Sequence, residues 1–222
     1  MSRSNHRNSL ALRAPDETAL DFTRFPRRTL RADGEWYRQH RDRPTPDRGA
    51  WHFASYAPGD EGEGRFDLPN PDGTCYLAST ETGAVNELVG PDCADRGWVD
   101  SDLVADRLLS RLRLPVDVKA ADTTSARASE FRATNELPVT ERYDLTQAWA
   151  DTLHRAGFGG VYTVLRFTLG ATRGLALFGI SGAPDPSWPG DASPRPVRDV
   201  VESLGIGVED PPAYGTVTIV SP

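Results

Sequence analysis

The feature that most limits how this chain can fold is its rhythm. Short apolar or alternating runs ("EWYRQH", "AWHFASY", "TCYLAS", "PVDVKAAD", "GVYTVLRF", "GLALFGI" and "YGTVTIV") are set apart by frequent glycine and proline, 20 and 18 respectively in 222 residues. Runs of this length and alternation predict strands. The helical segments are few and do not alternate with the strands one for one. "TGAVNELVG" predicts a short helix closed by Gly90 and Pro91. "DSDLVADRLLSRLRLP" predicts an amphipathic helix. Leu103, Val104, Leu108 and Leu112 recur at helical spacing, Asp100 or Ser101 offers a cap, Pro115 stops it, and Arg107, Arg111 and Arg113 form its solvated face. "DLTQAWADTLHRAGFGG" predicts another helix, with Leu145, Ala148, Trp149 and Leu153 inward, His154 at the favourable end of the helix dipole and Gly157 as its stop. "VRDVVESLGI" predicts a short helix near the end of the chain. Many short strands with a few flanking helices imply an α+β fold rather than a doubly wound sheet. No GxGxxG follows a strand and no P-loop is present, so neither nucleotide-binding fingerprint is supported.

The length suits one domain. Residues 1–30 read as a polar, Arg-rich lead-in, poorly ordered or wrapped on the domain. Residues 31–182 read as the main domain. Residues 183–222 begin with a segment holding five prolines between 183 and 196 and end in a helix and a strand, packed on the same domain. Net charge is −7, which excludes a global basic field for nucleic acid. Residues 1–48 carry a small basic excess with no aromatic platform, which argues against direct nucleic-acid binding. Two cysteines make no disulfide framework, and Cys75 reads as a small core residue. No Cys or His spacing suggests a metal, so none is expected. No apolar run has membrane-spanning length and no signal-peptide pattern opens the chain, so the expectation is a cytoplasmic protein with no membrane partner. The oligomeric state stays open, a homo-oligomer included.

The residues with chemical potential cluster in and before "GRFDLPNPDGTCYLASTETGAVNELVG". Arg38 and Arg65 carry planar guanidinium groups suited to phosphate, and Arg65 sits in a glycine-rich loop that can approach a ligand closely. Tyr76 lies in an otherwise apolar strand, where its ring can stack on a flat heterocycle and its tip can hydrogen-bond. Glu87 lies on the following helix between Val85 and Leu88, turned to solvent or buried with a partner. On spacing alone Arg65 and Glu87 fit an ordinary ion pair equally well, and Tyr76 a core aromatic.

The blocks "WYRQHR", "GRFDLPNPDGTCYLA", "AVNE", "ADTTSARASEFRATNEL", "YDLTQAWADTLHRAGFGGV" and "GLALFG" together resemble the RES domain family over roughly residues 35–182. The resemblance implies an ADP-ribosyltransferase-like fold, a split and mainly antiparallel β core with a few flanking helices that clamps NAD. It implies a toxin of a toxin–antitoxin pair that degrades NAD as its substrate by phosphorolysis or hydrolysis, with inorganic phosphate as co-substrate in the first case. The implied partner is a small helix-turn-helix antitoxin of the Xre type that blocks the site. Carried onto this chain, the family's positions fall on Glu87, Tyr76 and Arg65 as catalytic residues, and on Tyr37, Arg38, Arg65 and Tyr76 as the NAD-binding set. The family serine has no counterpart at Val164 to Arg166, and Thr163 carries the nearest hydroxyl. A module that binds NAD or a protein without turnover is therefore the alternative.

Overall fold

The computed structural model describes residues 10–42, 49–57, 59–60, 62–183 and 187–210. The strands are β1 Arg27–Leu30, β2 Glu35–Arg41, β3 Ser55–Tyr56, β4 Leu68–Pro69, β5 Asp72–Ala78, β6 Trp98–Asp100, β7 Arg107–Arg113, β8 Val118–Asp122, β9 Gly160–Val164, β10 Arg173–Ile180, β11 Arg195–Pro196 and β12 Gly207–Glu209. The α-helices are α1 Glu81–Arg96, α2 Ser101–Val104, α3 Tyr143–Arg155 and α4 Val197–Ser203. Eight strands form one sheet in the order β1-β8-β9-β10-β5-β2-β7-β11. Every neighbouring pair is antiparallel except β8 with β9. The α+β expectation holds.

The sheet is nearly two sheets. β10 pairs with β5 through seven residues and β2 with β7 through another seven. Between those halves, β2 and β5 meet at a single pair, Tyr37 with Ala78. Away from that pair the two strands part and leave an opening in the sheet. On one face, the residues around Phe22, Phe25, Trp149 and Phe178 form one apolar cluster, and α1, α4 and β7 form another around Val85, Val89 and Val201. The opposite face carries Trp36, Phe53, Leu112 and Leu177. The opening therefore lies between two well-filled cores.

Two expectations need correction. The amphipathic helix predicted through residues 100–114 is helical only at Ser101–Val104; Arg107–Arg113 is a strand. Leu108 and Leu112 are four residues apart, a spacing that serves a strand face as well as a helix face. Leu112 is buried between exposed Arg111 and Arg113. Pairing along the whole of β2, with Glu35 bonded to Arg113 at 3.2 Å, wins over helix propensity. Second, the helix expected to close at Gly90 and Pro91 continues to Arg96. Pro91 forgoes one backbone bond within it, but Val85, Val89 and Cys93 pack into the same cluster and hold the helix against the sheet up to Gly97, where φ is 79°. Residues 10–30 pack into the domain. Leu12, Phe22 and Phe25 are buried in the core and β1 forms one edge of the large sheet. Glu136 receives the amides of Ala11 and Leu12 at 3.1 and 2.6 Å, and Trp149 donates to the Arg13 carbonyl at 2.8 Å.

The run "AWHFASY" contributes only Ser55–Tyr56 to a regular strand, with bridges at Phe53 and Ala54. In the proline-rich segment after residue 182, Trp188 packs edge-on against Trp51 and Phe53. The strand expected at "YGTVTIV" lies outside the described residues.

Candidate active site

Where β2 and β5 diverge, a cleft of about 410 Å³ opens. All five residues singled out in the sequence (Tyr37, Arg38, Arg65, Tyr76 and Glu87) line it. Successive residues of a strand point to opposite faces, yet Tyr37 and Arg38 both reach the cleft because the sheet splits beside them. Arg38 fills the opening, where its Nη1 donates to the His52 carbonyl at 2.9 Å and contacts the Cys75 sulfur. Among the described residues these are the hydrogen bonds of its guanidinium, and both are made by Nη1.

Arg65 sits on a loop that two elements clamp. From α3, the Gln147 amide nitrogen donates to the carbonyls of Gly62 and Gly64 at 3.0 and 2.9 Å, and Thr146 donates its hydroxyl to the Arg65 carbonyl at 2.5 Å. From β5, Thr74 donates to the Phe66 carbonyl at 2.7 Å, while the Tyr76 hydroxyl accepts the Phe66 amide at 2.7 Å and donates to Asp67 at 2.8 Å. Asp67 closes the loop by accepting the Gly64 amide at 2.7 Å. A side chain at Gly64 would run into Asp67 and the Tyr76 hydroxyl, so the turn requires glycine there. The Arg65 side chain is tethered to the Thr140 carbonyl and lies over the Tyr143 ring, 5.2 Å from its centroid.

This fixes what Tyr76 offers. Its hydroxyl is spent on the loop, and burial next to Asp67 pushes its pKa well above the ordinary tyrosine range. Its tip is turned to the loop, and Tyr76 lines the cleft beside it. Burial likewise raises the Asp67 carboxyl, against the pull of Tyr76 and the Gly64 amide.

Glu87 faces the cleft from the middle of α1. Its Oε1 accepts the Phe167 amide at 2.8 Å, and the Arg166 amide also stabilises the carboxylate. The carboxylate opens to the cleft solvent, but the surrounding walls partly desolvate it and raise its pKa, while the Phe167 amide and Arg65 pull it back. The β9–β10 connection that supplies Phe167 is seated on α1, where the Phe167 ring lies against Gly90 with no room for a Cβ. Arg166 from the same connection also lines the cleft, tethered to Glu141 at 2.9 Å. Arg166 and Glu87 both act on Arg65, whose guanidinium is shifted downward chiefly by burial. The site thus gathers three arginines, each anchored through one nitrogen, with Glu87, the exposed Glu63 and the rings of Tyr37, Tyr76 and Tyr143.

Sequence reasoning missed Arg166, Tyr143, Asp67 and Gln147. A charge ending the apolar run "GVYTVL" was the available signal for Arg166. Gln147 lay hidden because the inward face expected of α3 was too narrow; Thr146 and Gln147 are buried with Trp149. The stretch Val164 to Arg166 carries no serine. Thr163 is buried at the cleft wall, and among the described residues its hydroxyl has no hydrogen-bond partner. No group of three or more His, Cys, Asp or Glu among the described residues is placed to hold a metal, and none of the described helices is long and apolar enough to cross a membrane. A broader hollow of about 620 Å³ between residues 17–23 and the end of α3 is far less suited to a ligand. Its cation, Arg155, is already gripped by both oxygens of Glu17 at 2.8 Å.

The RES domain family model matches residues 35–182, more than half of the chain. The chain belongs to the RES domain family. The match begins at β2 and ends just past β10, so it takes in every residue that lines the cleft. No curated protein matches this chain. Among solved structures, the crystal structure of the M. tuberculosis MbcT–MbcA toxin–antitoxin complex contains a chain 18% identical to this one, covering 68% of this chain and 76% of that one with a TM-score of 0.47.

Proposed function

We propose that this RES domain protein consumes NAD by cleaving the bond between nicotinamide and ribose. The observation that carries the reading is the Glu87 carboxylate sharing the cleft with Arg65, Arg166 and Tyr76. The C–N bond breaks with its electron pair moving to the nicotinamide nitrogen, which quenches the positive charge on that ring. Positive charge then develops on the ribose, as in glycoside hydrolysis. Glu87, facing that sugar, stabilises the charge and orients the ribose hydroxyls. Tyr76 gives its ring face to the nicotinamide riboside, and Arg38 and Arg65 hold the pyrophosphate with their untethered nitrogens. The acceptor oxygen, from water or from inorganic phosphate, forms the new bond to the ribose carbon. No protein nucleophile is required, because nicotinamide already leaves as a neutral molecule.

In the cell this reading makes the chain a cytoplasmic toxin held in check by a helix-turn-helix antitoxin of the Xre type, and family membership is what supports it. A silent module that binds NAD or a protein is the second reading, favoured by the absence of a serine from Val164 to Arg166. One experiment separates them: NAD loss by the purified protein with and without inorganic phosphate, followed by chromatography of nicotinamide and the ADP-ribose product. Phosphate-dependent loss is the outcome expected of a phosphorylase. Loss without phosphate makes the enzyme a hydrolase. No loss in either buffer, with NAD still raising the melting temperature, overturns the catalytic reading in favour of binding alone.

A further inference from the structure

Beside the cleft lies a second pocket of about 390 Å³, bounded by the turn after β8, the 3-10 helix Ala126–Phe131, the segment leading to Pro138, and the facing pair Val164 and Arg173. Pro138 and Val164 line both cavities, so a low ridge is all that divides them. Its walls are small and apolar where Ala128, Ala133 and Pro138 meet it, and no acid lines it. Two polar groups at its edge are unspent. Among the described residues the Asn135 side chain has no hydrogen-bond partner. Arg173 is steadied through Nη1 by the carbonyls of Gly170 and Thr172, both at 2.8 Å, and among the described residues it has no carboxylate partner.

We propose that this second pocket seats a purine 5′-nucleotide, the adenylate half of the dinucleotide whose nicotinamide half occupies the cleft. The assignment rests on the reading of the cleft as an NAD site. A flat base fits between small apolar walls, and an asparagine amide presents the donor and acceptor that match the adenine edge. Hydroxyls of the Thr123–Ser125 turn line the pocket within reach of a ribose. The pyrophosphate then crosses the ridge at Val164, its nicotinamide-side phosphate held by Arg38 and Arg65 in the cleft and its adenylate phosphate by Arg173 in the pocket. Size argues the same way: ligand pockets span roughly 300–1,000 Å³, and a cleft near the lower end takes one nucleotide half rather than two.

The test is calorimetric titration of adenosine 5′-monophosphate into wild-type protein, Ser129→Trp and Asn135→Ala, with melting curves as the folding control. Ser129 and Asn135 are both exposed, and the tryptophan fills the pocket from its rim. Saturable binding by wild type, weakened about tenfold or more in either variant, is expected. The ratio of kcat/KM for NAD to that for nicotinamide mononucleotide should fall by a similar factor. Absence of binding by wild type, or equal binding by wild type and both variants, overturns the proposal. If Ser129→Trp fails to fold, Asn135→Ala decides alone. If the variants lose the nucleotide while wild type consumes no NAD, the pocket stands and the catalytic reading falls.

Discussion

Glu87 is the residue on which the proposed chemistry turns, and its surroundings make its contribution measurable. Only contacts stronger in the transition state than in the ground state raise the rate. Glu87→Gln keeps the size and the acceptor for the Phe167 amide but removes the charge, so turnover should drop by about 10²–10³ while NAD affinity changes little. Comparable turnover in the two proteins would sink the assignment. The pH profile gives a second readout. Burial raises the Glu87 carboxyl, and the ionised form is the active one. The acid limb of kcat/KM should therefore lie above the ordinary glutamate range near ~4.3, and should vanish in Glu87→Gln. The sign for stability is the reverse. A carboxyl raised in the folded state favours the fold when protonated, and that contribution is lost as pH rises through the folded pKa. Acidification through this limb costs activity without Glu87 costing the fold.

Among elements, α1 and the β9–β10 connection form one working unit. The Phe167 ring lies on Gly90, and its amide holds a Glu87 oxygen. Gly90→Ala improves helix propensity, but its methyl group would have to displace the Phe167 ring. The connection should then lift from α1 and release Glu87 and Arg166 from their observed positions. The expected result is a several-fold loss in kcat/KM with an undiminished helical signal in far-ultraviolet circular dichroism. Unchanged kinetics would mean that this seating does not control the site. α3 does the same service for the Arg65 loop through Thr146 and Gln147. The helix itself was legible in "DLTQAWADTLHRAGFGG". The polar clamp on its buried side was not, because a buried glutamine is legible only once the carbonyls it satisfies are in view.

On the scale of the whole molecule, the lead-in and the sheet depend on one another. Phe25 packs against Phe131 at 5.1 Å and against Trp149 and Phe158 at 6.3 Å, linking the N-terminal segment to α3 and the strand that follows. Phe25→Ala should lower the unfolding free energy by about 3–5 kcal/mol, the usual cost for a buried phenylalanine. Urea denaturation reads this directly, and a cost below ~1 kcal/mol would show that the segment is dispensable. The overall charge of −7 says little about the site, since Arg38, Arg65 and Arg166 gather at one opening in an acidic protein. A global balance averages over distances longer than the ~8 Å at which salt screens charges.

By itself the sequence determined the α+β class, most strands, the α3 helix, and the set Tyr37, Arg38, Arg65, Tyr76 and Glu87. Strand runs, turn residues and amphipathic spacing are local signals, and the blocks around those five residues are distinctive. Only the tertiary structure decided the rest. Leu108 and Leu112 satisfy helix and strand periods alike, and pairing with β2 chose the strand. Pro91 reads as a stop until packing of Val89 and Cys93 carries α1 past it. The Tyr76 hydroxyl looked available until Asp67 and the Phe66 amide claimed it. Arg166 joins the site only because the β9–β10 connection folds back onto α1. The cleft itself exists because two strands far apart in the chain meet at one pair, Tyr37 and Ala78, and then separate, a long-range event that no local pattern encodes.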